Sequence, residues 1–121
     1  MPSPATVEAF IALVESNDHV GAIEQYYAPD ASMRENGDEP RRGRDGLVAR
    51  ERAFLGMWAR IDSRRLGPVL IDGDHVAIHW RFEFTPAEGP SRVMEEIAWQ
   101  RWEGDRVVEE RFFYNPAQMG V

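Results

Sequence analysis

The chain has no cysteine. Disulfides, thiolate metal sites and cysteine nucleophiles are therefore excluded, and cysteine usage says nothing about redox compartment. Positive charge is also short: Lys and Arg number 14 against 21 Asp and Glu, a formal balance of −7. Such a chain repels the phosphate backbone of nucleic acid unless a basic patch is segregated. Its one basic cluster, Arg41-Arg42-Gly43-Arg44, is short and flanked by acids, so it reads as a solvated loop, and no nucleic-acid partner is expected. No apolar stretch approaches the ~18 residues that a membrane-spanning helix needs. The start, Met1-Pro2-Ser3-Pro4-Ala5-Thr6, has no basic segment followed by an apolar run. A soluble cytoplasmic protein without membrane contact is the default. The three histidines show no His-x-His or Glu-x-x-His spacing, so neither a metal nor another cofactor is expected.

What is present is enough for one core. The 121 residues include four Trp, three Tyr and six Phe, and no repeat, linker or low-complexity tract divides them, so residues 1–121 read as a single domain. Val7, Phe10, Ile11 and Val14 have the spacing of one helix face, which predicts a helix over about 5–16. Asp18 can cap a second, shorter helix carrying Val20, Ile23, Tyr26 and Tyr27 and stopping near Pro29. Residues 31–35 read as a short strand. Asp45 stands where the N-cap of a third helix belongs, with Leu47, Phe54, Trp58 and Ile61 along one face. Beyond Asp62 the apolar period changes to two, and residues 63–71, 75–85, 92–102 and 106–114 read as strands joined by hairpin signals. Helices first and a meander afterwards argue an α+β domain with helices laid on one face of a curved sheet.

The densest strand, His75 to Phe84, puts Val76, Ile78, Trp80, Phe82 and Phe84 on one side and Ala77, His79, Arg81 and Glu83 on the other. Pattern alone would pack the apolar side on the helices and leave the charged side wet.

A resemblance argues the opposite. Tyr26-Tyr27-Ala28-Pro29-Asp30-Ala31, Gly43-Arg44-Asp45, Trp99-Gln100-Arg101-Trp102 and Phe113-Tyr114-Asn115-Pro116, in this order of elements, resemble the nuclear transport factor 2-like superfamily, which includes the SnoaL-like polyketide cyclases. The resemblance implies a cone: three N-terminal helices on a curved, mixed, mostly antiparallel sheet around an internal pocket, with pairs of chains docking through the outer sheet face. Members include isomerases, dehydratases, cyclases, epoxide hydrolases and proteins that only bind. Arg81-Phe82-Glu83 is similar to the inward Arg-x-Asp pair of limonene epoxide hydrolase, which turns the charged side of this strand into the pocket. Arg34-Glu35-Asn36 keeps that enzyme's Asn but lacks its Tyr, and its remaining Asp falls on Phe112. Against ketosteroid isomerase, Glu35 takes the place of the base, while the oxyanion donors fall near Ile11 and on Ala98.

The expected catalytic set is therefore Glu35, His79, Arg81 and Glu83, with Glu35 or Glu83 as base and His79 or Arg81 stabilising developing negative charge. The bland readings are an exposed loop carboxylate for Glu35, a self-neutralising pair for Arg81 and Glu83, and a satisfied core residue for His79. Met94, Glu96, Ala98 and Gln100 share the inward face of the next strand. Tyr26, Asn36, Phe54, Trp58, Glu96, Gln100, Phe112 and Tyr114 are the expected ligand-contacting residues. Val76, Ile78, Trp80, Phe82, Ile97, Trp99 and Phe113 would form an outer patch too apolar for water, which predicts a homodimer. The expected activity is binding of a small, largely apolar organic molecule with cofactor-independent acid–base chemistry of isomerase, cyclase or epoxide-hydrolase type. The alternative is a non-catalytic binding or interaction module.

Overall fold

The computed structural model describes residues 1–120. Helix α1 (Pro4–Glu15) starts at Ser3, whose hydroxyl accepts from the Thr6 amide, and buries Val7, Phe10, Ile11 and Val14. Helix α2 (His19–Tyr26) is capped by Asp18, whose carboxylate accepts from the Gly21 amide. Helix α3 (Arg44–Leu55) begins two residues earlier than expected, with Gly43 as N-cap at φ 98°. Asp45 lies in its first turn, where its charge complements the helix dipole. The helix ends at Leu55, so Ile61 belongs to the following strand.

The strands are β1 (Tyr27–Glu35), β2 (Arg41–Arg42), β3 (Arg60–Arg65), β4 (Leu70–Asp72), β5 (His75–Thr85), β6 (Arg92–Glu103) and β7 (Arg106–Phe113). They form one sheet in the order β2-β1-β7-β6-β5-β3, with β4 also on β5. Among the described residues only the β1–β7 pairing is parallel. The expected 63–71 strand is two strands, β3 and β4, separated where Gly67 takes φ 68° before Pro68. Strand β1 starts at Tyr27, before Pro29, because its register with β7 shifts between Tyr27 and Ser32. Proline, which has no amide to donate, fits such an irregularity. Arg41 and Arg42 are not a solvated loop but pair with Met33 and Ser32 as an edge strand.

The helices lie on one face of the sheet, and the direction of β5 decides what they cover. Val76, Ile78, Trp80, Phe82 and Phe84 are all buried at 6% exposure or less. His79, Arg81 and Glu83 point the other way, where the His79 and Glu95 side chains meet at 3.4 Å in an exposed pair and those of Arg81 and Glu83 at 3.4 Å in a half-buried one. The inward placement of these three residues is overturned. Turning the strand over would expose apolar side chains worth ~1.5–3 kcal/mol each. It would also desolvate ionised groups at several kcal/mol per ion. The outer patch changes accordingly. Val76, Ile78, Trp80 and Phe82 leave it, while Ile97, Trp99 and Phe113 remain, joined by Val93, all 38–48% exposed.

Candidate functional site

Between the helices and the inner sheet face lies a cavity of about 370 Å³. Its wall is aromatic: Phe10 from α1, Phe54 from α3, Trp80, Phe82 and Phe84 from β5, and Phe112 and Tyr114 at the end of β7. Strand alternation places the β5 trio side by side, with Trp80 stacked on Phe82 at 5.5 Å and Phe82 followed by Phe84 at 6.0 Å.

Four carboxylic residues also line it: Glu35, Glu51, Glu96 and Glu110. They differ in depth. Glu96 and Glu110 are 6% and 3% exposed, whereas the Glu35 side chain is 40% exposed and meets Arg41 at 3.5 Å. Glu110 is held: Tyr27 donates its hydroxyl to one carboxyl oxygen, and Gln100 Nε2 donates to the other at 2.6 Å. Trp102 Nε1 in turn donates to Gln100 Oε1 at 2.9 Å, fixing which way the amide points. Burial raises Glu110 to about 7, against the lowering effect of its two donors. The Tyr27 hydroxyl is pushed well up by burial and by Glu110.

Glu96 has no such support. Burial raises it well above the carboxylate range, and the charges of Glu110, Glu51 and Glu35 push the same way. Among the described residues no side chain bonds its carboxyl, which faces the cavity with its un-ionised form, both donor and acceptor, favoured by that burial. On α2, the His19 ring packs at a tilt against Phe82, 5.4 Å away. Its Nε2 meets Ser63 Oγ at 2.8 Å and its Nδ1 lies 3.6 Å from Glu51. At the rim, burial and the Glu35 carboxylate push Tyr114 up to about 12.

Of the expected site residues, Glu35, Phe54, Glu96, Phe112 and Tyr114 line the cavity. Besides His79, Arg81 and Glu83, four others stand outside it. Tyr26 packs edge-on against Phe10 at 5.5 Å. Asn36, at φ 50°, ties β1 to β7, its Oδ1 accepting from the Tyr114 amide at 3.0 Å. Trp58 packs behind Phe84 at 5.2 Å. Gln100 supports Glu110 from behind. His19, Tyr27, Arg41, Glu51 and Glu110 were not anticipated. Glu110 had a signal, an acid two residues before Phe112 on a strand, but the doublet Val107-Val108-Glu109-Glu110 does not fix the phase of alternation. Among the described residues no three His, Asp or Glu side chains converge as a metal site.

Residues 7–110 match the model of the SnoaL-like domain. The chain belongs to that family. A protein from Mesorhizobium loti, described as a candidate SnoaL-like polyketide cyclase, is 25% identical and superposes with a TM-score of 0.75, covering 91% of this chain and 97% of its own. An NTF2-like protein of unknown function from Burkholderia pseudomallei superposes at TM-score 0.80 with 17% identity, covering 95% and 92%. A protein of ketosteroid isomerase-like fold from Catenulispora acidiphila, solved with trimethylamine, gives 0.78 with 18% identity, covering 98% and 95%. The latter two likenesses show the fold alone. Comparison with curated proteins gives no match. The SnoaL-like chain thus shares its fold with polyketide cyclases and isomerases.

Proposed function

We propose that this SnoaL-like chain binds a small, largely apolar organic molecule in its cavity and exchanges a proton with it, without a cofactor. The observation that carries the reading is Glu96, a buried carboxyl with no protein partner at the floor of an aromatic-walled cavity. An acid kept un-ionised by burial can donate to a ligand oxygen or nitrogen near neutral pH, and the rim carboxylate Glu35 can accept a proton in return. This is acid–base chemistry of the isomerase, cyclase or epoxide-hydrolase type. His79, Arg81 and Glu83 take no part in it.

The test uses soluble phenylalkyl ligands, followed by calorimetry. Wild type binds; Met94→Trp, which fills the cavity from β6, does not. Undiminished binding by Met94→Trp would show that ligands sit elsewhere. Deuterium uptake at the carbon next to the carbonyl of 4-phenyl-2-butanone, read by NMR, should be faster with wild type than with Glu96→Gln. Binding without any accelerated uptake would make the chain a binding module.

We propose also that two copies pair through the outer sheet face. Val93, Ile97, Trp99 and Phe113 stand exposed there on neighbouring strands, with Ile97 directly opposite Phe113. The charges beside them, His79 with Glu95 and Arg81 with Glu83, are of both signs and suit an isologous contact.

A further inference from the structure

The cavity's charges sort by depth. Its cations stay near the mouth or are occupied: Arg41 is 38% exposed and meets Glu35, Arg50 is exposed on α3, and His19 is held between Ser63 and Glu51. Its floor has carboxyls only. Glu96 on β6 and Glu110 on β7 both face it, Glu110 is already satisfied by Tyr27 and Gln100, and Glu96 is left over. Trp80 stands directly across the strand pair from Glu96, with Phe82 beside it. Aromatic faces attract cations through their quadrupoles, and most strongly where water is excluded. A buried carboxyl without a partner is the missing half of an ion pair.

We infer that the molecule this cavity is built for carries a basic or quaternary nitrogen on a hydrophobic body, seated between the Glu96 carboxylate and the Trp80 face. This rests on the cavity reading above and adds the ligand's charge. Without the ligand, burial and the acids facing Glu96, namely Glu110, Glu51 and Glu35, keep it protonated. An amine entering as its neutral form takes that proton, and the resulting ammonium and carboxylate pair in place. A permanent cation cannot take it, so the proton leaves to solvent. Its affinity therefore rises with pH, whereas a neutral ligand that accepts a hydrogen bond from the acid loses affinity as Glu96 ionises.

The experiment compares benzyltrimethylammonium with 4-phenyl-2-butanone on the purified chain, by calorimetry at pH 5.5 and 8 in buffers of different ionisation enthalpy. The expected result is cation affinity at least tenfold higher at pH 8, with net proton release on binding. Glu96→Gln, checked for its fold by circular dichroism, lowers cation affinity at least tenfold and abolishes both its rise between pH 5.5 and 8 and the proton release. Ketone binding without cation binding would overturn the inference and leave the cavity reading standing. So would cation affinity that survives Glu96→Gln. If neither ligand binds, both readings fall together.

Discussion

A carboxyl that is raised by burial weakens the fold as pH rises, and Glu96→Gln should relieve that. The sign follows from proton counts. Between its unfolded value of 4.5 and its folded value of about 7, Glu110 is more protonated in the folded chain than in the unfolded one. Stability therefore falls as pH climbs through that window, and the loss is complete above the folded value. At 1.36 kcal/mol per pH unit, Glu110 alone removes roughly 2 kcal/mol between pH 5.5 and 8.5. Glu96 is raised in the same direction, by burial first and then by Glu110, so its loss has the same sign. Glu96→Gln keeps the shape, breaks no hydrogen bond made to another side chain, and removes the titration of this carboxyl. Urea unfolding should find the variant within about 1 kcal/mol of wild type at pH 5.5 and, with a shallower fall as pH rises, the more stable protein at pH 8.5. Equal pH slopes for the two proteins, or a variant weaker than wild type at pH 8.5, would mean that Glu96 ionises freely and that the cavity floor is wet.

Four further outcomes are expected. Tyr27→Phe removes the hydroxyl donated to Glu110 and with it one of the two bonds favouring the carboxylate; stability should fall by about 1–3 kcal/mol in urea melts, more at pH 8.5 than at pH 5.5. Trp80→Ala takes a 2%-exposed indole out of the stack with Phe82; a loss of about 3–5 kcal/mol is expected, and a loss under 1 kcal/mol would place Trp80 on the surface. Arg81→Ala should change stability by no more than about 1 kcal/mol and leave cavity binding unchanged, since its partner Glu83 shares the outer face. Trp99→Arg should convert a dimer to a monomer in sedimentation, and a wild-type monomer at micromolar concentration would end the pairing proposal.

The fold was legible because its signals are local: the i, i+3, i+4, i+7 set that α1 buries, the Asp18 cap, and the turn residues between β5, β6 and β7. The site was legible only in part, and the failure on β5 has a specific physical origin. Side chains on a strand repeat every two residues, so reading the inward set from Arg81-Phe82-Glu83 instead of Trp80, Phe82 and Phe84 reverses every side chain at once. The alternation itself was correct and favoured the observed face; a three-residue likeness outweighed it. Pairing would have settled the matter. Residues directly opposite each other in an antiparallel pair share a face, and Trp80 sits opposite Glu96. An inward Glu96, which the alternation of β6 did give, therefore requires an inward Trp80 and an outward Arg81 opposite Glu95. That constraint was out of reach because the turn Pro86–Pro90 does not fix the register by its composition. Glu110 and Tyr27 were hidden for a related reason. They lie 83 positions apart, and their bond exists only because β1 runs parallel beside β7, a closure that no local pattern announces. The buried acids that give the cavity its chemistry are thus products of strand pairing, and side chains near the apolar face of one strand acquire meaning only when the neighbour's register is known.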